Sequence, residues 1–321
     1  MKQNVSFRSI LFLMLVISAV LLNGCVDNNS DGINQIEDID KLDEIISVNR
    51  VEEYHIQEYE RYEEFAEQLG FDGKLDDKLN FKITYKSDDY EVVGYICVPT
   101  DYLERDYPVL IYNRGGNRDF GMLYPIVPVQ YSDFGFITLV AQYRGNDGGT
   151  GKEAFGGDDV QDVISLIDIA EQLSFSNGKI YMMGDSRGGL QTYCTLRKES
   201  LAGRKRISAA VVMSGISDLT EFYNFGDWEM KGTLISLIGG DPETLPKEYE
   251  RRSAVHWPEL IDVPLLIVHG QTDERVPVNQ AETIYNMLKA LDKNVGLRLY
   301  DAGHNLSFEE YLVSLEWLRS Y

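Results

Sequence analysis

The stretch that decides the fold is Lys179-Ile180-Tyr181-Met182-Met183-Gly184-Asp185-Ser186-Arg187-Gly188-Gly189, an apolar run leading into a serine flanked by glycines. It predicts a buried strand, a sharp turn and the start of a helix. Gly184 and Gly188 fit this turn because a side chain at either position would collide with the adjoining strand and helix. Ser186 would then stand clear of the backbone, as a nucleophile requires. By itself, the pattern is equally compatible with an ordinary glycine-rich turn.

Other short apolar runs predict a parallel sheet that is buried on both faces. They lie at 109–112, 136–141, 180–183, 209–213 and 265–268. Helical patterns alternate with them, at 158–173, 188–199 and 278–291. Two earlier runs, 79–87 and 91–99, predict an antiparallel hairpin. The alternation indicates an α/β fold with a mostly parallel, doubly wound sheet, in which ligands bind beyond the carboxyl ends of the strands.

A catalytic serine needs a general base, and the chain offers four histidines. His304 follows the strand-like run 295–300, so we expect it on a loop at the carboxyl edge of the sheet, beside the serine. We expect His269 to be buried and hydrogen-bonded structurally, His256 to pack in a cap, and His55 to be a solvated helix residue. His304 is therefore the predicted base.

The base in turn needs an acid that holds its tautomer and stabilises the imidazolium. Asp273 follows the apolar run 265–268, which places its carboxylate in the loop beyond a core strand. Glu274 and Asp301 are rival candidates. Ser186, Asp273 and the predicted base occur in the chain order nucleophile, acid, base that this kind of fold uses.

These motifs together resemble the α/β-hydrolase superfamily, specifically the catalytic domain of the prolyl oligopeptidase (S9) family and its single-domain esterase relatives. The matching stretches are Tyr143-Arg144-Gly145, 156–162, 184–189, 269–277 and Gly303-His304. The resemblance extends from about residue 79 to the C-terminus. It implies that Ser186 is the nucleophile, Asp273 the orienting acid and His304 the base.

The resemblance also implies an oxyanion hole, formed by the backbone amide of Arg187 and by donors from the loop 113–116. Arg114 stands where family members often carry a tyrosine, so the second donor is left open. It is either a backbone amide near Gly115 or the Arg114 guanidinium. The acidic group 158–162 matches a family motif too, and we expect it to cap the helix that it begins.

The amino terminus predicts export. Two basic residues precede the apolar run 10–22, which ends in Leu22-Asn23-Gly24-Cys25 and resembles a bacterial lipoprotein cleavage box. We therefore expect a signal peptide at 1–24, an acylated Cys25 and an extracytoplasmic protein anchored to the bacterial cell membrane. A plain secretory signal and an uncleaved anchor are the alternatives. A flexible acidic tether is predicted at 25–43, followed by a helical segment at 44–78.

Composition narrows the partners of the protein. Its net charge of −22 argues against nucleic acid, because binding to phosphates requires clustered Lys and Arg. The histidines lack metal-ligand spacing, so we expect no metal and no cofactor. Cys97 and Cys194 are predicted to be buried apolar residues, with a disulfide between them as the alternative. Composition leaves the oligomeric state open.

The predicted catalytic domain spans 79–321, with the less regular segment 217–260 as a small cap in which Trp228 and Trp257 are expected to pack. Peptidases of the family carry a β-propeller ahead of this domain, and the segment before Leu79 is too short for one. We therefore expect a lipid-anchored serine hydrolase that acts through an acyl-enzyme on a carboxylic ester. The alternatives are a peptidase for short peptides and, from another class, a non-catalytic surface binding lipoprotein.

Overall fold

The computed structural model of the protein describes residues 39–52, 60, 62, 75 and 78–321. The predicted signal peptide, the predicted lipidation site Cys25 and His55 lie outside these residues. Among the helices that the structure describes, none is long and apolar enough to cross a bilayer.

A single mixed sheet of nine strands runs through the described residues. Its strands are β1 (Ile45–Arg50), β2 (Lys78–Ser87), β3 (Tyr90–Pro99), β4 (Tyr107–Asn113), β5 (Ile137–Ala141), β6 (Ser176–Asp185), β7 (Ile207–Met213), β8 (Leu265–Gly270) and β9 (Val295–Tyr300). They lie in the order β1-β2-β3-β5-β4-β6-β7-β8-β9. The pairs β1/β2, β2/β3 and β3/β5 are antiparallel and the other pairs are parallel. The predicted α/β class, hairpin and mostly parallel sheet are confirmed.

The described helices cover both faces of this sheet. They are α1 (Ile126–Ser132), α2 (Val160–Gln172), α3 (Arg187–Leu201), α4 (Leu219–Phe225), α5 (Trp228–Ile238), α6 (Pro246–Glu250), α7 (Asn279–Ala290) and α8 (Phe308–Leu318). Tyr112, Val211 and Leu266 share a buried cluster with residues of α1 and α8. Helices α2, α3 and α7 pack on the opposite face. With both faces covered, β8 is buried along its whole length.

The parallel register brings the carboxyl ends of the central strands to one edge of the sheet. Asn113 at the end of β4 pairs with Gly184 of β6, and Asp185 pairs with Met213 at the end of β7. The loops that follow β4, β6, β8 and β9 therefore open toward the same edge. These loops carry the residues predicted for the active site.

The prediction of a helical segment at 44–78 is wrong for the first residues of that segment, because Ile45–Arg50 forms the edge strand β1. This strand pairs antiparallel with β2, with Val48 opposite Ile83. β-branched residues favour a strand, and a short apolar run satisfies helical and strand spacing equally well. Most of the remaining segment, residues 53–59 among them, lies outside the described residues.

The predicted tether 25–43 also extends too far toward the folded domain. Ile39 begins the 3-10 turn Ile39–Lys41 and is 1% exposed. The backbone amide of Asp43 donates to Gln172 Oε1 on α2 at 2.8 Å. The folded domain therefore includes Ile39, because that side chain buries apolar surface that a solvated tether would expose.

The segment predicted as a cap, 217–260, contains α4, α5 and α6 between β7 and β8. The hydroxyl of Ser236 on α5 accepts a hydrogen bond from Arg118 Nη2 at 2.9 Å, and its carbonyl accepts one from Lys152 Nζ at 3.1 Å. These bonds join the segment to the loops after β4 and β5. Its function as a cap remains a prediction.

The two tryptophans of this segment differ in burial. Trp257 is 5% exposed, as predicted, and its ring lies under the guanidinium of Arg197 at 5.4 Å. Trp228 is 83% exposed, so the prediction that it packs was wrong. It is the first residue of α5, directly after the N-cap Asp227, and at this end of the helix its side chain meets solvent.

Cys97 and Cys194 are both buried, and no disulfide joins them. Cys97 lies on β3 and Cys194 on α3. Burial raises the pKa of the Cys194 thiol to about 12, which keeps it protonated and unreactive. The prediction that both are buried apolar residues is confirmed.

Candidate active site

Ser186 lies at the corner between β6 and α3. Its backbone has φ 55° and ψ −119°, a strained conformation for a residue with a side chain. The amide of Ser186 donates to Met213 O, and its carbonyl accepts from Gly189 N, each at 2.9 Å. These bonds fix the corner to the neighbouring strand β7 and to the first turn of α3.

Two glycines make this corner sterically possible. A Cβ on Gly184 would lie 2.1 Å from Gly188 O, and a Cβ on Gly188 would lie 1.9 Å from Asn113 O. Real Cβ atoms do not approach an oxygen so closely, so both positions require glycine. The predicted collision with the adjoining strand and helix is therefore present at both positions.

The three predicted triad residues form one hydrogen-bonded chain. His304 Nε2 lies 3.1 Å from Ser186 Oγ, and His304 Nδ1 lies 2.8 Å from Asp273 Oδ2. With Asp273 accepting from Nδ1–H, Nε2 is free to accept a proton from the serine hydroxyl. The loops after β6, β8 and β9 thus bring together the predicted nucleophile, base and acid.

Asp273 is held rigidly and kept ionised. Its Oδ1 accepts from the amides of Arg275 and Val276 at 2.9 Å each. Burial by itself raises the pKa of Asp273, but hydrogen bonds from His269, His304 and the Val276 amide outweigh it and hold the pKa well below its ordinary value. The acid therefore stays negatively charged while the imidazolium forms.

The other histidines and carboxylates named as candidates lie elsewhere. His269 is buried, with Nε2 2.8 Å from Val276 O and 3.3 Å from Asp273 Oδ2, as expected for a structural histidine. His256 is exposed in a 3-10 turn, so the expectation that it packs was wrong. Glu274 and Asp301 are exposed, whereas Asp273 is 7% exposed and bonded to the base.

The Arg114 guanidinium is occupied by protein oxygens. Its Nε donates to Gln142 O at 3.1 Å, Nη1 donates to Gly115 O at 3.2 Å, and Nη2 donates to Arg118 O at 3.1 Å. The side chain is also fully buried. Of the two donors left open above, the backbone amide near Gly115 is the better candidate. A Cβ on Gly115 would lie 3.2 Å from Ser186 Cβ, so this backbone runs directly beside the nucleophile.

Arg187 contributes its backbone to the first turn of α3, and its side chain turns away from the nucleophile. The guanidinium is bonded to Glu153 Oε2 at 2.6 Å, to Asp159 Oδ2 at 2.7 Å and to Gly116 O at 3.0 Å. It also lies over the rings of Tyr143 and Phe155, 4.8 and 5.0 Å from their centroids. The amide of Arg187 is therefore anchored by a buried side chain.

The expectation that the acidic group 158–162 caps a helix was wrong. Asp159 precedes α2 but makes no side-chain cap to it. Its carboxylate instead accepts from Arg187 Nη2 and from the amides of Ala154 and Gly156. Asp162 accepts from Arg144 and Ser87. Both carboxylates are buried ion-pair partners: Asp159 pairs with Arg187 at the start of α3, and Asp162 pairs with Arg144 in the loop after β5.

Two carboxyl groups next to the site were missed from sequence. Glu153 is 4% exposed and bonded to both Arg114 and Arg187. Asp185 directly precedes the nucleophile, and burial raises its pKa to about 6, although nearby His304 and a hydrogen bond from Tyr311 lower it. The signal available for Asp185 was an acidic residue at the end of an otherwise apolar strand.

The chain is similar to known proteins in sequence and in fold. The model of the prolyl oligopeptidase family matches residues 126–320, more than half of the chain. The uncharacterized peptidase YtmA of Bacillus subtilis is 29% identical over 67% of this chain and 81% of its own length.

Solved structures show the same fold. The acylaminoacyl peptidase of Pyrococcus horikoshii matches with a TM-score of 0.65 at 22% identity, over 79% of this chain and 43% of that chain. An acetyl xylan esterase from Paenibacillus sp. R4 matches with a TM-score of 0.63 at 16% identity, over 93% and 97% of the two chains. Both likenesses confirm the predicted fold, and at these identities they carry no conclusion on substrate.

We expect Gly188→Ala to destabilise the protein by at least about 3 kcal/mol, because the new methyl group would overlap the Asn113 carbonyl. Gly232→Ala is the matched control. Gly232 lies inside α5 with open space around it, so alanine should stabilise the protein by about 0.5–1 kcal/mol. Urea denaturation measures both changes. Equal stability of the two variants would contradict the close approach at the corner.

We expect Asp185→Asn to alter how stability depends on pH. The folded protein keeps the Asp185 proton up to about pH 6, whereas the unfolded chain releases it near 3.8, so the free energy of unfolding falls as pH rises between these values. Asparagine does not titrate. Relative to wild type, the variant should gain up to about 3 kcal/mol between about pH 4 and about pH 7. Denaturation at both pH values tests this, and a difference that stays constant with pH would refute it.

Proposed function

Since the chain belongs to the prolyl oligopeptidase family, we propose that it is a serine peptidase that cleaves short peptides through an acyl-enzyme on Ser186. The observation that carries the proposal is the hydrogen-bonded chain from Ser186 through His304 to Asp273. The peptidase alternative has better support from the comparisons than the ester hydrolase that we expected from sequence. The comparisons give no support to the other alternative, a binding lipoprotein without activity.

Acylation follows from the positions of the three side chains. Ser186 Oγ attacks the substrate carbonyl while His304 Nε2 accepts its proton, and Asp273 stabilises the imidazolium. The carbonyl π electrons move to oxygen, which the Arg187 amide and the proposed amide near Gly115 would stabilise. When the tetrahedral intermediate collapses, the C–N bond breaks and His304 gives its proton to the leaving amine. The acyl group remains on Ser186 as an ester.

Deacylation repeats these steps with water. His304 Nε2 takes a proton from a water molecule, whose oxygen attacks the acyl carbon. Collapse of the second intermediate returns the proton to Ser186 Oγ and releases a carboxylic acid. An ester substrate would follow the same path with an alcohol leaving group, which needs less help from His304. Ester turnover and peptide turnover should therefore be measured side by side in the same assay.

We expect a fluorophosphonate probe to label the protein and Ser186→Ala to remove the label, because the probe reacts only with an activated serine. Asp273→Asn should lower kcat by about 10⁴-fold, since His304 would then adopt the wrong tautomer. Peptide p-nitroanilides, some with proline and some N-acylated, and p-nitrophenyl esters measure the turnover. A wild-type protein that is not labelled, or a Ser186→Ala variant that is labelled equally, contradicts the proposed mechanism.

The same panel separates the substrate classes. A peptidase should show kcat/KM for its best peptide amide within the usual enzymatic range, about 10⁴ M⁻¹s⁻¹ or more. Turnover of p-nitrophenyl esters with no amide turnover would support the ester hydrolase and overturn the peptidase.

We also propose that the protein is exported and anchored to the membrane by lipid on Cys25. The basic residues, the apolar run 10–22 and the sequence Leu22-Asn23-Gly24-Cys25 support this proposal. The acyl chains would hold the catalytic domain at the outer surface of the cytoplasmic membrane, where it could meet peptides outside the cytoplasm.

We expect mass spectrometry of the protein purified from a bacterial membrane to find residues 1–24 absent and Cys25 diacylated or triacylated. Cys25→Ala should abolish the modification and move the protein out of the detergent phase in a phase-partition assay. A protein whose cleaved N-terminus carries no lipid would indicate a plain secretory signal. An intact N-terminus would indicate an uncleaved anchor.

A further inference from the structure

The loop beside the nucleophile is held through its carbonyl groups. We define the oxyanion loop as residues 114–121. Its Arg114 carbonyl accepts from Tyr143 Oη at 3.0 Å, its Gly115 carbonyl from the Arg114 guanidinium at 3.2 Å, and its Gly116 carbonyl from the Arg187 guanidinium at 3.0 Å. Three successive peptide groups are thus fixed by buried side chains.

Fixing these carbonyls also fixes the amides. In a trans peptide the C=O and the following N–H point in opposite directions, so a carbonyl held on one side turns the next amide to the other. The amides of Gly115, Gly116 and Asn117 follow the three carbonyls that are held. Gly115 is the point where this backbone runs against Ser186. The orientation of the proposed oxyanion donor therefore depends on the groups that bind the carbonyls.

Glu153 joins the two arginines among these groups. Its Oε2 accepts from Arg187 Nη1 at 2.6 Å, while its Oε1 accepts from the amide of Arg118 at 2.8 Å and from Arg114 Nη2 at 3.3 Å. Asn146 Nδ2 also donates to Oε1, at 2.5 Å. One carboxylate thus contacts the oxyanion loop directly and both arginines that hold it.

The negative charge of Glu153 balances the positive charges of two neighbouring guanidinium groups. The guanidinium groups of Arg114 and Arg187 both lie over the ring of Tyr143, 5.1 and 4.8 Å from its centroid. Two cations so close together repel each other unless anions separate them. Glu153 is bonded to both of these arginines, whereas Asp159 is bonded to Arg187 and not to Arg114. Without the Glu153 charge, Arg114 would have no carboxylate partner in the cluster.

We propose that Glu153 is a positioning residue for the oxyanion hole. Through Arg114 and Arg187, it holds the oxyanion loop in the conformation in which the loop's amides can bind the tetrahedral intermediate. Glu153 acts through other groups and does not contact the substrate. The inference rests on the proposed acyl-enzyme mechanism. It predicts that loss of Glu153 weakens binding of the transition state more than binding of the substrate.

Glu153→Gln tests this with Asp162→Asn as the matched control. Asp162 is an equally buried carboxylate paired with an arginine, but its bonds go to Arg144 and Ser87. We expect Glu153→Gln to lower kcat about 10- to 100-fold with KM changed less than about threefold. Its affinity for a boronic acid, which forms a tetrahedral adduct on the serine, should fall by the same factor as kcat/KM. Asp162→Asn should lose thermal stability and keep kcat within about twofold of wild type.

Glu153→Asp provides a second measurement if the glutamine variant does not fold. It keeps the charge but is one methylene shorter, so it reaches fewer of the four donors, and kcat should fall with KM unchanged. The proposal is overturned if the folded Glu153 variants keep wild-type kcat, if their loss lies in KM, or if Asp162→Asn loses as much kcat. Failure of the acyl-enzyme mechanism itself is recognised separately, because the wild-type protein would then neither turn over nor react with a fluorophosphonate.

Discussion

The geometry of the catalytic edge depends on how closely helix α3 approaches the end of strand β4. No side chain fits between Gly188 and the Asn113 carbonyl, where a Cβ would stand 1.9 Å from the oxygen. This contact forces the chain at Ser186 into a positive φ. It also brings the oxyanion loop against the nucleophile and carries the Arg187 side chain beneath that loop. The backbone strain is offset by the burial of α3, whose Leu190 is fully enclosed.

Charge is distributed unevenly between the surface and this edge. The protein has a net charge of −22, yet the buried groups near the site are balanced locally. Arg114 and Arg187 face Glu153 and Asp159, and Arg144 faces Asp162. Buried ions are tolerated when they are paired and hydrogen-bonded. These pairs connect the loops after β4 and β5 to each other and to the first turns of α2 and α3. The pairs formed by Arg114 and Arg187 therefore fix the loops that lie beside Ser186.

The sequence was sufficient to predict the structure where a residue type has a single structural or chemical role. The glycines around Ser186, the repeated short apolar runs and the small number of histidines predicted the sheet and the residues that form the hydrogen-bonded chain. The sequence was insufficient where the structure depends on contacts between residues that are distant along the chain. The short run at Ile45 became an edge strand because β2 was available to pair with it. Asp159 and Glu153 pair with arginines from the loop after β4 and from the first turn of α3, and local spacing could not reveal these contacts.

The separation of the site residues along the chain has a consequence for folding. Ser186 and His304 are 118 residues apart, and the base follows β9, the last strand of the sheet. Contacts at such long range form late, because the intervening chain must first be ordered. A partly folded molecule has a serine without its base and is inert toward acyl donors. Reactivity at Ser186 would therefore report that the last strand, β9, has joined β8 and has brought His304 to the serine.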